Sequence, residues 1–118
     1  MKILVVEDDL DTREILTELL EMHGHDIVTA SEAQQALASI SKQADFDLLI
    51  TDVNLPGMSG IELAQAASGL QPTIAIMICS GYGEQQFGAL PFPVTWIQKP
   101  LEMDSFLQAI ERFSGVNQ

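Results

Sequence analysis

Five short apolar runs alternate with stretches of helical period, and that alternation restricts the fold more than any other feature of the sequence. The runs are residues 2–6 (KILVV), 26–30 (DIVTA), 47–51 (DLLIT), 73–78 (TIAIMI) and 93–97 (PVTWI). Three of them are nearly continuous in apolar character, as parallel strands covered on both faces must be. Residues 9–23 place Thr12, Ile15, Leu16, Leu19 and Leu20 on one helical face, with Asp11, Glu14, Glu18 and Glu21 opposite. Gly24 then supplies a stop. Residues 31–42 open on a predicted capping box of Ser31 and Gln34 and bury Ala33, Ala36, Leu37 and Ile40. Residues 59–68 open on a second box, Ser59 and Glu62, with Met58 and Leu63 at the positions of a hydrophobic staple. Residues 101–113 repeat Met103, Phe106, Leu107, Ile110 and Phe113 at spacings of three and four. Between the last two runs, GYGEQQFGALPFPV holds three glycines and two prolines in fourteen residues. One or two helical turns near 83–89 are the most that segment allows.

Strand–helix five times over predicts an α/β domain with a parallel sheet and right-handed crossovers, and five helices of which the fourth is short or irregular. At 118 residues the chain is expected to form one domain, 1–118, with apolar residues at 47%. That length buries about two-thirds of the unfolded surface. No stretch reaches the roughly 18 apolar residues of a membrane span. The start, MKILVVEDD, is too short in its apolar part for a signal peptide. Cys79 is the only cysteine, so no internal disulfide forms, and a cytoplasmic location is expected. Acids number 17 against 5 basic residues, a net charge of −12. Such a surface repels nucleic acid and anionic membrane and suits a protein that holds a cation.

In open sheets of this kind ligands bind at the carboxyl ends of the strands. The first run leads into Glu7-Asp8-Asp9, the third into Asp52, the fourth into Cys79-Ser80-Gly81 and the fifth into Lys99-Pro100. Parallel strands bring all these ends to one edge. Asp9 also fits the N-cap of the first helix. Asp52 alone also has a plainer reading, as a helix or turn cap. Several carboxylates at one place repel each other, and a hard divalent cation such as magnesium removes that conflict. Lys99 is a compact positive charge suited to a carboxylate or a phosphate. Ser80 adds a hydroxyl. Cation, lysine and hydroxyl around one carboxylate make an apparatus for phosphoryl transfer, with the carboxylate as nucleophile and an aspartyl phosphate as product.

The sequence resembles the receiver domains of two-component response regulators. ILVVEDD, DLLITDVNLPGMSGIEL, ICSGYG and WIQKPL carry the resemblance, in this order, over residues 1 to about 113. It implies a flavodoxin-like three-layer sandwich of strand order 2-1-3-4-5. It implies phosphorylation of Asp52, with magnesium touched directly by Asp8 and Asp52, through water by Glu7, and by the backbone carbonyl of Asn54. Ser80 matches the switch hydroxyl, Lys99 the phosphate-binding lysine and Trp96 the switch aromatic. A cis Lys99–Pro100 bond is also implied. Glu7 and Ser80 stand where aspartate and threonine are more usual. Trp96 replaces a typical tyrosine or phenylalanine, and the segment from Ser80 to Lys99 is short.

The partners implied are a sensor histidine kinase or a histidine phosphotransfer protein as donor, and a downstream protein target. Neither direct nucleic-acid binding nor membrane insertion is expected. The domain is expected to signal, catalysing only its own phosphorylation and dephosphorylation. A stand-alone regulator and the receiver portion of a larger hybrid kinase or multidomain regulator both fit. A magnesium-dependent phosphatase of the haloacid dehalogenase type places its nucleophile after the first strand, with a second acid two residues on. Here the acid follows the third run, and Asn54 occupies the plus-two position. His23 and His25 suit a helix C-terminus better than a metal site, and Cys79 a core position better than a nucleophile.

Overall fold

The apolar runs do become strands, and the periodic stretches between them become helices. The computed structural model describes residues 1–43, 45–81 and 90–114. The elements are β1 (Lys2–Val6), α1 (Leu10–Met22), β2 (Asp26–Ala30), α2 (Ala33–Lys42), β3 (Leu48–Asp52), α3 (Gly60–Leu70), β4 (Ala75–Ser80), β5 (Thr95–Gln98) and α4 (Met103–Ser114). All neighbouring strands are parallel, in the order β2-β1-β3-β4-β5. The predicted flavodoxin-like order is therefore the one adopted. Four helices lie among the described residues. The short helix expected near 83–89 falls outside them.

Alternate residues of each strand point to opposite faces of the sheet. Leu4, Val6, Leu49, Ile76 and Ile78 pack with Ala33, Ala36 and Ile40 of α2 and Leu63, Ala64 and Ala67 of α3. Ile3, Val5, Leu48, Ile50, Met77 and Cys79 pack with Leu16 and Leu20 of α1 and Phe106, Ala109 and Ile110 of α4. Both faces are covered, which is why these strands read as unbroken apolar runs rather than alternating ones. Fully burying each large aliphatic or aromatic side chain contributes about 1.5–3 kcal/mol.

Several local expectations shift. α2 starts two residues later than its predicted cap, with Glu32 at the N-cap and no side-chain cap bond. The Ser31–Gln34 box is replaced by Gln35, whose Oε1 accepts from both the Ser31 N–H and its hydroxyl at 2.8 Å. Moving the helix start by one position makes Gln35, not Gln34, the residue that reaches back. The Ser59–Glu62 box forms as predicted, and Met58 packs on the cluster that holds Leu63. Ile15 is 56% exposed, because the buried side of α1 runs through Leu16 and Leu20 one step round the helix. Met103, at the first position of α4, is likewise exposed. β4 extends to Ser80, two residues past the predicted end, and β3 takes in Asp52. Gly24 follows α1 in the left-handed conformation at φ 87°. No described helix is long and apolar enough to cross a membrane.

Candidate functional site

β1 sits at the centre of the chain reversal. The first crossover leaves it towards β2, and the next returns on its other side to β3. The crevice beyond β1 and β3 is the switch point of the sheet, where ligands bind in folds of this kind. Register aligns what lies there. Val6 pairs with Thr51, Asp52 with Cys79, and Ser80 with Gln98. The residues that follow β1 and β5, and those that end β3 and β4, therefore form one row.

Glu7 continues β1, its N–H donating to the Ala30 carbonyl at 3.1 Å, and is only 6% exposed. Its Oε2 accepts the Asp9 N–H at 3.1 Å. Asp8 is exposed, and Asp52 is partly buried. One carboxylate oxygen from each of Glu7, Asp8 and Asp52 lies within 4.8 Å of the others. The Lys99 ammonium sits 2.9 Å from Asp52 Oδ2. The Lys99 backbone is tied to the same edge, its N–H donating to the Ser80 carbonyl at 2.8 Å, and the Lys99–Pro100 peptide is cis.

The electrostatics follow from the packing. Burial pushes the Glu7 carboxyl above its usual range, against the opposing pull of the Asp9 N–H and the Lys99 charge. Burial also disfavours the Lys99 ammonium. The hydrogen bond and attraction to Asp52, with attraction to Glu7, outweigh that and raise its pKa. Asp9 titrates lower than an ordinary aspartate because the Thr12 hydroxyl and N–H both donate to it, at 2.7 and 2.9 Å. It caps α1 as expected. Burial pushes the Cys79 thiol up to about 12, which makes it a core residue and not a nucleophile. The acid cluster offers oxygen ligands only, with one member buried against its charge. That donor set suits a hard cation such as magnesium and not a thiophilic one.

Other predicted residues are placed around this centre. Ser80 is buried at the end of β4, beside the Asp52–Cys79 pair. Asn54 is exposed in the turn after β3, where Gly57 takes φ 83°. Trp96 is half-buried in β5 opposite Ile78 and packs on the α2–α3 side of the core. Glu7, Asp8, Asp52 and Lys99 are thus brought together, whereas Trp96 stands back from them along its strand. His23 and His25 lie at the opposite edge, past the end of α1. The ring Nδ1 of His23 meets the Leu19 carbonyl at 2.9 Å.

Two residues at the site escaped the sequence reading. Arg13 Nη1 donates to the Glu7 carbonyl at 2.8 Å and fixes the backbone that presents the acids. Its one signal is that it is the first cation after a run of acids. Gly60 opens α3 against the Asp52 backbone. A glycine directly behind a strong N-cap is its only trace.

Comparison with known proteins falls in with this geometry. The family model described as response regulator receiver domain matches residues 3–111. The chain is 30% identical over 119 residues to sporulation initiation phosphotransferase F of Bacillus subtilis (strain 168), covering 95% of this chain and 92% of that one. It is 33% identical over 118 residues to response regulator protein FleR of Pseudomonas aeruginosa, covering 94% of this chain. It spans only 24% of FleR, so that match is to one part of a longer protein. Among solved structures, a CheY-like response regulator receiver domain protein from Methanospirillum hungatei JF-1 superposes with a TM-score of 0.86 at 28% identity, over 96% of this chain and 93% of that one. A match running from Ile3 to Glu111, on a fold shared almost whole, leaves one assignment: the chain belongs to the response regulator receiver domain family of two-component phosphorelay signalling.

Proposed function

We propose that Asp52 accepts a phosphoryl group from a phosphohistidine on a sensor histidine kinase or a histidine phosphotransfer protein. The observation that carries this is the Lys99 ammonium 2.9 Å from Asp52, beside Glu7 and Asp8. An Asp52 oxygen attacks phosphorus, the oxygen–phosphorus bond forms, and the phosphorus–nitrogen bond to the donor imidazole breaks. Solvent returns a proton to that imidazole. Lys99 balances negative charge on the phosphoryl oxygens as it spreads in the transition state. Asp8, Asp52 and the Asn54 carbonyl would hold magnesium, with Glu7 through water, and the ion when bound neutralises further phosphoryl charge.

Ser80, next to the Asp52–Cys79 pair, is the hydroxyl assigned to the phosphoryl group once transferred, and Trp96 the aromatic that follows it. The phosphorylated state then biases a two-state equilibrium at the β4–β5 edge towards a downstream protein target. Residues 1–118 form a single receiver unit, acting in the cytoplasm and turning over nothing but its own aspartyl phosphate. The partial coverage of FleR favours a second arrangement, in which such a receiver is one portion of a larger regulator.

Labelling by acetyl phosphate with magnesium tests the acceptor. Asp52→Asn should abolish it while leaving the protein folded, and undiminished labelling of that variant would remove Asp52 from the role.

A further inference from the structure

Gly60 meets the backbone of Asp52 more closely than any residue with a side chain could. A Cβ at position 60 would lie 1.9 Å from the Asp52 carbonyl oxygen, 2.8 Å from its carbonyl carbon and 3.0 Å from the Val53 Cα. All three are main-chain atoms, so nothing at the contact can swing aside. The Gly60 N–H donates to the Val53 carbonyl at 2.7 Å. On its other side the same segment is held by β4. Asp52 pairs with Cys79, and the Val53 N–H donates to the Cys79 carbonyl at 3.1 Å. The Thr51 hydroxyl donates to the Asp52 carbonyl at 2.9 Å. The first turn of α3 is itself fixed by the Ser59–Glu62 box. The peptide that carries Asp52 is clamped between β4 and α3, and Gly60 is the point of contact.

Helix propensity does not explain this glycine, since alanine is the better helix former. Gly69 in the same helix offers the contrast, because a Cβ there would meet nothing within 4 Å.

We propose that Gly60 is a positioning residue for phosphoryl transfer: its lack of a side chain lets α3 seat on the Asp52 carbonyl and hold the carboxylate against Lys99. The proposal rests on Asp52 being the phosphoacceptor. An alanine at 60 forces α3 and the Asp52 peptide apart, and the peptide, tied to β4, turns and carries its carboxylate with it. A displacement of about 1 Å at a reacting group costs up to about 10²-fold in rate.

The experiment measures labelling of four proteins by acetyl phosphate at saturating magnesium, well below their melting temperatures: wild type, Gly69→Ala, Gly60→Ala and the double variant. Gly69→Ala should melt higher and react at the wild-type rate, and it returns part of the lost stability to the double variant. The rate constant at saturating acetyl phosphate should stay about 10- to 100-fold down in the double variant, with half-saturation by the donor within about twofold of wild type. A merely structural role predicts recovery of the rate with recovery of the melting temperature, and that result overturns the proposal. Should both Gly60→Ala proteins fail to fold, Ser59→Ala unties the first turn of α3 without touching Asp52. It should slow labelling several-fold while folded, and an unchanged rate overturns the proposal. Failure of the underlying assignment looks different: the wild type is then unlabelled, or Asp52→Asn is labelled as well.

Discussion

Replacing Lys99 by methionine separates cation binding from chemistry. The stem of Lys99 lines an apolar groove with Thr12, Ile15, Leu16, Pro100, Leu101 and Met103. Methionine keeps that packing and removes only the charge. The Lys99 side chain is 36% exposed, so its ion pair is worth at most about 1 kcal/mol to the fold, and the variant should remain folded. Its effect on a bound dication has the opposite sign. Ammonium and a magnesium ion held at the acid cluster would share one carboxylate and repel each other. Unit charges 4 Å apart interact by about 1 kcal/mol in water and about 4 kcal/mol at an effective dielectric of 20. With the site open to water on one side, about 1–2 kcal/mol of repulsion is relieved, and magnesium should bind about 5- to 30-fold tighter. Phosphorylation should slow by about 10²–10³-fold, the loss expected when one preorganised stabiliser of transition-state charge is deleted. Magnesium titration followed by the fluorescence of Trp96, the only tryptophan, reads the first effect, and labelling at saturating magnesium reads the second. Weaker or unchanged magnesium binding together with a wild-type labelling rate would refute the charge argument.

Two further predictions concern the scaffold. Glu102 sits ahead of α4 with its carboxylate accepting from the Ser105 hydroxyl and N–H and from the Asp104 N–H, bonds that hold its pKa below the ordinary value of 4.5. A depressed carboxyl contributes stability above its unfolded pKa and loses it as pH falls through the folded one, so Glu102→Gln should lose less melting temperature than wild type on acidification below about pH 4.5. Identical acid profiles would contradict that cap. Phe106 has no exposed surface and fills the core between α4 and the sheet, so Phe106→Ala should cost about 3–5 kcal/mol in urea unfolding, and a loss under about 1 kcal/mol would mean the site collapses freely.

The parallel sheet covered by helices and the meeting of acids with a lysine were legible because they need only period, polarity and chain order, whereas the strand order was legible only through the family resemblance. β1 and β2 begin and end where their apolar runs do. β3 and β4 run further, because the polar Asp52 and Ser80 stay in the hydrogen-bonded ladder, with Cys79 continuing the core of β4. Apolar pattern reports side-chain polarity, whereas the ladder reports backbone pairing, and at this edge the two part. Ile15 and Leu16 are adjacent apolar residues, and only the packing of α1 on Phe106 and Ile110 decides which is buried. Arg13 and Gly60 were not legible. One acts through a backbone carbonyl and the other through empty space, and neither leaves a pattern in residue types.

The most direct test of the acceptor is chemical mapping of the phosphoryl group. Wild-type protein is treated with acetyl phosphate with and without magnesium, reduced with borohydride to convert an acyl phosphate to homoserine, and digested for peptide sequencing by mass spectrometry. Homoserine should appear at position 52 and only when magnesium is present. Homoserine at Asp8 or 5-hydroxynorvaline at Glu7 but no homoserine at Asp52, or labelling indifferent to magnesium, would contradict the assignment of Asp52 as the magnesium-dependent phosphoacceptor.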